Sequence, residues 1–322
     1  MRFSSIVSAL STAAALALAW PVSPAAAASP RDTLVVSAAW LAQHLKDPDL
    51  VLLHVGDKGE YAAAHIPGAR FVEMREISVS DPSGAGNGLT LEMPPADVLR
   101  EKLAALGISD SSRIVVYFGK DWLSPSTRVI FTLDYAGLGD RVSLLDGGQP
   151  AWVKAGGAVT AEVPEVKPGT LSALKTRPTV VTADFLREHG RDKGVTIVDA
   201  RDAAFFDGTR SGGRRPDSPR FGHIPGAVSV PFSETTDDLV QLRSAADLQA
   251  RFTAAGVKPG DTVVAYCHIG QQATAVIFAA RTLGIKALLY DGSFEDWTKN
   301  PEAPLENPAA PAPKQPPSTP LS

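Results

Sequence analysis

The chain is written twice. Val35-Val36-Ser37-Ala38 recurs as Val180-Val181-Thr182-Ala183, 145 positions later, and the same spacing pairs Trp40-Leu41 with Phe185-Leu186, His44 with His189 and Leu52-Leu53 with Ile197-Val198. His65-Ile66-Pro67-Gly68-Ala69 returns letter for letter as His223-Ile224-Pro225-Gly226-Ala227, now 158 positions on, so the second copy has gained 13 residues just before this motif. Val115-Val116 matches Val263-Val264, Val129-Ile130-Phe131 matches Val276-Ile277-Phe278, and Asp146-Gly147 with Trp152 matches Asp291-Gly292 with Trp297. An ordered series of this kind implies duplication. Its period is that of two similar domains and not of a solenoid, whose repeats run about 20 to 50 residues.

Each copy reads as α/β. Ser37 and Thr182 are predicted helix N-caps after short strands, and Leu50 to Val55 and Val195 to Ala200 are predicted buried strands. Asp97 to Leu106 and Asp247 to Ala255 carry apolar residues at helical spacing and stop at Gly107 and Gly256. Val142 to Leu145 and Ala287 to Tyr290 supply a last strand in each copy. Strands alternating with helices imply a mainly parallel sheet flanked by helices on both faces. The divisions are residues 31–160, a linker over 161–178 with three prolines, and residues 179–300. Residues 301–322 are rich in proline and alanine and are expected to be a disordered tail.

The chain has one cysteine, Cys267, in the run Tyr266-Cys267-His268-Ile269-Gly270-Gln271-Gln272-Ala273. An apolar strand precedes it, and an alanine-rich helix is predicted over Ala273 to Leu283. The thiol therefore stands in a loop that opens onto a helix N-terminus, where N–H groups converge and the dipole favours a thiolate. Without an internal partner it is either an inert buried thiol or a reactive one. Cysteine phosphatases and arsenate reductases use the same placement but need an arginine six residues later, where this chain has Ala273. Six histidines and one cysteine show no close ligand spacing, so neither a metal nor another cofactor is expected.

Residues 1–28 read as a cleavable signal peptide. Arg2 precedes an apolar stretch from Ile6 to Trp20, and Ala26-Ala27-Ala28 offers a small-residue cleavage site before Ser29. The expected location is the periplasm or the exterior, with no stable membrane association after cleavage. A net charge of −4 gives no attraction for nucleic acid.

With two domains, His-Ile-Pro-Gly-Ala in each, Asp199-Ala200-Arg201 after a strand and Cys267 opening a loop in the second copy only, the chain resembles the tandem rhodanese (sulfurtransferase) family over roughly residues 31 to 300. The resemblance implies two rhodanese-like domains and a Cys267 thiolate that takes a sulfane sulfur from a small donor, holds it as a persulfide and yields it to a thiophilic acceptor. His268, Ile269, Gly270, Gln271 and Gln272 would form the active-site loop, its N–H groups stabilising the anion. Asp199 and Arg201 would bind substrate or orient the loop. Aligning Val115-Val116 with Val263-Val264 places Gly119 opposite Cys267, with His54 and Gly56 opposite Asp199 and Arg201, so the first copy is expected to be catalytically silent.

Thiosulfate-using relatives place cations where this chain has Ile269 and Phe205. Mercaptopyruvate-using relatives carry Gly-Ser-Gly after the cysteine, where this chain has His268-Ile269-Gly270, but their arginine beyond a Gly-Thr pair falls at Arg214. Arg214 is thus the expected contact to an anionic donor, with Arg215 and Arg220 in reserve. Thiosulfate is favoured over 3-mercaptopyruvate. The alternative reading is a non-enzymatic persulfide carrier or a thiol redox sensor of the same fold.

Overall fold

The computed structural model describes residues 29–80, 88–120, 123–212 and 219–310. The first domain runs α1 (Pro30–Leu34), β1 (Val35–Val36), α2 (Ala38–His44), β2 (Leu50–Val55), α3 (Lys58–Ala63), β3 (Arg70–Val72), α4 (Ala96–Ala105), β4 (Arg113–Phe118), α5 (Leu123–Tyr135), β5 (Val142–Leu145) and α6 (Gly148–Lys154). The second runs β6 (Val180–Val181), α7 (Ala183–His189), β7 (Val195–Asp199), α8 (Ala203–Phe206), β8 (Val228–Ser229), α9 (Ala245–Ala254), β9 (Thr262–Tyr266), α10 (Ala273–Thr282), β10 (Ala287–Tyr290) and α11 (Ser293–Trp297). Each domain holds a five-stranded parallel sheet in the same order, β1-β5-β4-β2-β3 and β6-β10-β9-β7-β8.

Local chemistry produces these elements much as the sequence suggests. The Ser37 hydroxyl accepts from the Trp40 N–H and the Thr182 hydroxyl from the Phe185 N–H, each cap contributing about 1 kcal/mol. α4 ends where Gly107 takes a left-handed φ of 76° and Ile108 N–H reaches back to the Leu103 carbonyl. The His-Ile-Pro-Gly-Ala turns are structural. Ile66 N–H donates to the Tyr117 hydroxyl and Ile224 N–H to the Tyr266 hydroxyl, while His65 and His223 stack on Tyr61 and Phe206.

α5 and α10 lie side by side between the two sheets, and three side-chain hydrogen bonds from α5 to α10 and the loop leading into it each join a residue to its own duplicate. Gln271 Nε2 donates to Ser124 Oγ (3.2 Å), the Thr127 and Thr274 hydroxyls meet (3.0 Å), and Arg281 Nη1 donates to Asp134 Oδ2 (2.7 Å), all 147 positions apart. Residue-to-own-copy contacts are the mark of a two-fold interface. Because they stay in register along both helices, the helices run parallel and their N-termini lie at the same end. One apolar cluster spans both domains, including Val116, Phe118 and Val129 from the first and Ala265, Cys267 and Val276 from the second. An interface of this apolar character holds the domains as one body.

The linker over 161–178 has no helix or strand and is laid on the first domain: Gly169 N–H donates to the Ala104 carbonyl, and Ser172 pairs with Asp110. The expected disorder is corrected for residues 301–310. Glu306 bridges to His223, Ala303 is buried, and Trp297 Nε1 donates to the Pro304 carbonyl. Proline here fixes an extended path that the second domain can bind with backbone hydrogen bonds. Residues 1–28 and 311–322 lie outside the described residues, as do Arg214 and Arg215. Among the described residues no helix is long and apolar enough to cross a membrane.

Candidate active site

Cys267 is the first residue beyond β9, and the turn from β10 into α11 grips its backbone. Cys267 N–H donates to Ser293 Oγ (3.2 Å), the Cys267 carbonyl accepts from Phe294 N–H (3.0 Å), and the His268 carbonyl accepts from Glu295 N–H (3.0 Å). Ser293 is fully buried at a φ of +54°, a strained conformation for a side-chain-bearing residue. Its hydroxyl links the Cys267 N–H to the Tyr290 carbonyl and holds it there.

The loop then curls over the sulfur. N–H groups of Ala273, Ile269, Gln272 and Gly270 all donate toward Cys267 Sγ. Such a ring would stabilise negative charge on this atom. The expectation of a thiolate favoured at rest is corrected: full burial pushes the thiol up, and the four N–H groups only partly offset it. The sulfur is fully buried, and the same N–H groups act on any anion formed there more strongly than they would in solvent.

Gly270 sits in the left-handed region (φ 78°), and a Cβ there would come within 2.9 Å of Arg128 Nη1 and of Asp291 Oδ1. Only glycine fits. Gln271 ties the loop to Ser124 of the first domain, and Gln272 is the N-cap residue of α10. His268 is half-buried, with its ring edge-on to Phe205 at 4.5 Å, and its pKa is lowered to about 4 by burial and then by Arg201. It is neutral near pH 7 and offers an anionic donor no charge. Ile269 is likewise uncharged.

Asp199 and Arg201 are both fully buried. Arg201 Nε and Nη2 donate to the Asp199 carboxylate (2.9 and 2.5 Å), Tyr266 Oη adds a third donor (2.7 Å), and Arg201 Nη2 also reaches the Gly222 carbonyl (2.9 Å). The guanidinium lies 3.9 Å over the Phe294 ring. This geometry orients the strand end beneath the loop and leaves no face of the carboxylate for a donor. The reserve residue Arg220 is committed elsewhere, donating to the carbonyls of Pro301 and Ala303. Ser293 and Arg128 escaped the sequence reading, while Arg210, which follows the Gly208-Thr209 pair, lays its exposed guanidinium 4.4 Å over Phe205. A signal existed for the two that escaped, since the duplicates of Ser293 and Arg128 are Gly148 and Ala275.

The first copy departs from the sequence alignment by one residue. In the sheets His54 pairs with Tyr117 as Asp199 pairs with Tyr266, so Phe118, not Gly119, stands in the place of Cys267. Ile114, Val116 and Phe118 face the shared core together with Val263, Ala265 and Cys267, whereas Tyr117 and Tyr266 are buried in a separate core on the other face of each sheet. The stretch from Tyr117 to Ser124 is also two residues longer than its duplicate from Tyr266 to Gln271. The extra residues are wound into α5, which begins at Leu123, with Pro125 inside its first turn. His54 is fully buried beside Tyr61 and Tyr117, and neither ring nitrogen has a hydrogen-bond partner. The first site has thus lost both the thiol and the Asp–Arg pair.

A family model described as "Rhodanese-like domain" matches residues 37–155 and again 182–300. The chain is a rhodanese-family sulfurtransferase. Among the relatives of this rhodanese, thiosulfate/3-mercaptopyruvate sulfurtransferase 1 from Arabidopsis thaliana mitochondria is 30% identical over 304 residues, covering 85% of this chain and 78% of the relative. Thiosulfate sulfurtransferase from Azotobacter vinelandii is 29% identical (85% and 97% covered) and 3-mercaptopyruvate sulfurtransferase from Escherichia coli K12 is 28% identical (85% and 98%). The crystal structure of YnjE superposes with a TM-score of 0.76 at 24% identity, covering 86% of this chain and 69% of that one. The anaerobic ergothioneine biosynthesis enzyme from Chlorobium limicola gives 0.74 at 21% identity (86% and 71%). At these identities the two structures show the shared fold of the rhodanese and nothing finer.

Proposed function

We propose that this rhodanese moves a sulfane sulfur from a small anionic donor, thiosulfate in preference to 3-mercaptopyruvate, to a thiophilic acceptor through a persulfide on Cys267. The ring of four N–H groups aimed at Cys267 Sγ carries this reading. The Cys267 thiolate attacks the outer sulfur of thiosulfate, the donor S–S bond breaks, and sulfite leaves with the electron pair. The outer sulfur of the resulting Cys267 persulfide then bonds to the acceptor, cyanide in an assay, giving thiocyanate and restoring the thiolate. Two half-reactions on one nucleophile produce ping-pong kinetics. The depth of the sulfur supports the more compact donor. The deciding experiment compares kcat/KM for the two donors with cyanide as acceptor. A higher value for 3-mercaptopyruvate overturns the preference, and no turnover with either leaves the carrier or redox-sensor role.

Arg214 is proposed as the donor contact. A charge-assisted hydrogen bond to an anion contributes about 1.5–3 kcal/mol, so Arg214→Ala lowers kcat/KM by roughly 10- to 150-fold with an unchanged Tm. A loss below threefold assigns recognition to the loop N–H groups or to Arg210. Export is proposed from residues 1–28: N-terminal sequencing of the native protein yields a chain beginning near Ser29. Finding Arg2 and the apolar segment retained overturns it.

A further inference from the structure

The first domain carries neither the thiol nor the Asp–Arg pair, yet it sends a fully buried arginine under the loop that follows Cys267. Arg128 on α5 donates through Nη1 to Asp291 Oδ1 (2.6 Å) and to the Gly270 carbonyl (3.3 Å), and through Nη2 to the Leu91 carbonyl. Gly270 is therefore held from both sides: its carbonyl points at Arg128 and its N–H at Cys267 Sγ. The duplication supplies an internal control. Asp291 accepts from Met93 N–H (2.9 Å), and its duplicate Asp146 accepts from Leu242 N–H (2.8 Å), so each domain straps the other in the same way. The arginine breaks that symmetry. The duplicate of Arg128 is Ala275, and the guanidinium is present only beneath the loop that carries the cysteine.

We infer that Arg128 is a positioning residue for sulfur transfer: the silent domain uses it to fix the Gly270 peptide so that its N–H meets the anion on Cys267. The inference rests on reading Cys267 as the reacting sulfur but not on the identity of the donor. Glu92 interacts with Asp291, Arg128, Asp296 and Glu295, and Arg201 is the charged side chain that acts on Cys267. Glu92 is held at about 8 by burial and by Asp291, so pH profiles are read against Glu92→Gln, which removes that titration.

The test follows modification of Cys267 by methyl methanethiosulfonate, a small neutral reagent, by intact mass across pH, beside single-turnover persulfide formation from thiosulfate. In Arg128→Gln the pH of half-maximal thiol reactivity rises by about one unit and persulfide formation slows by about tenfold, the loss of one charge-assisted hydrogen bond to the anion. Arg128→Lys, which pairs with Asp291 but cannot also reach both carbonyls, falls between. Arg281→Gln breaks the tie to Asp134 at the far end of the same helix pair, and it lowers Tm without moving the profile. Arg128→Gln within about threefold of the parent rate with an unmoved profile overturns the inference. An equal displacement in Arg281→Gln overturns it too, because the effect is then general loosening. Should Arg128→Gln not fold, Asp291→Asn carries the test: it keeps side-chain volume and the acceptor for Met93, and an unmoved profile there is equally fatal. Loss of thiosulfate chemistry in the parent with an intact thiol profile would count against the proposed donor and not against Arg128.

Discussion

Cys267→Ser keeps its fold and loses sulfur transfer by at least about a thousandfold, the scale on which removing a covalent nucleophile acts. A serine hydroxyl fits the space left by the thiol, and the backbone bonds from Ser293, Phe294 and Glu295 do not involve the side chain. The Tm therefore stays close to that of the parent. Intact mass after donor treatment shows one added sulfur in the parent and none in the variant. Transfer at the parental rate from Cys267→Ser would refute the persulfide on this residue and with it the account of the loop.

Arg201→Met has the largest expected effect on stability. The substitution leaves the fully buried Asp199 carboxylate with Tyr266 and the Arg201 backbone N–H as its remaining donors. Removing one partner of a buried ion pair costs about 3–5 kcal/mol, equivalent to a fall in Tm of roughly 10 °C in a chain of this size. Asp199→Asn,Arg201→Met removes the stranded charge and recovers part of that loss, because a neutral pair can be nearly tolerated where a lone charge cannot. Thermal unfolding of the three proteins measures both. A fall below about 1 kcal/mol in Arg201→Met would mean that the pair is not what fixes the strand end.

The parts of this protein that were legible in its letters are those where a residue's own chemistry dictates local conformation. Ser37 and Thr182 cap helices wherever they meet a helix start, glycine supplies the left-handed turn at Gly107 and Gly256, and β2, β5 and β10 follow from apolar runs of strand length. The duplicated motifs established two domains of one fold before any packing was considered. The lone thiol between a core strand and a helix marked the candidate for the reacting atom.

Relations between segments were decided by the tertiary structure. Ile114-Val115-Val116-Tyr117 can be laid on Val263-Val264-Ala265-Tyr266 with a one-residue slip that keeps an apolar match, and such a slip turns every side chain to the opposite face. The Tyr117 and Tyr266 hydroxyls, each meeting an isoleucine N–H, fix the register that puts Phe118 opposite Cys267. The thiol's burial, the closing of 301–310 onto the second domain and the reach of Arg128 into the partner loop also depend on distances across the fold. The order of residues marked the lone thiol and set how each short stretch would bend. Only packing decided which faces meet, because an apolar strand buried on both sides carries no mark of its register until a polar group must find its one partner.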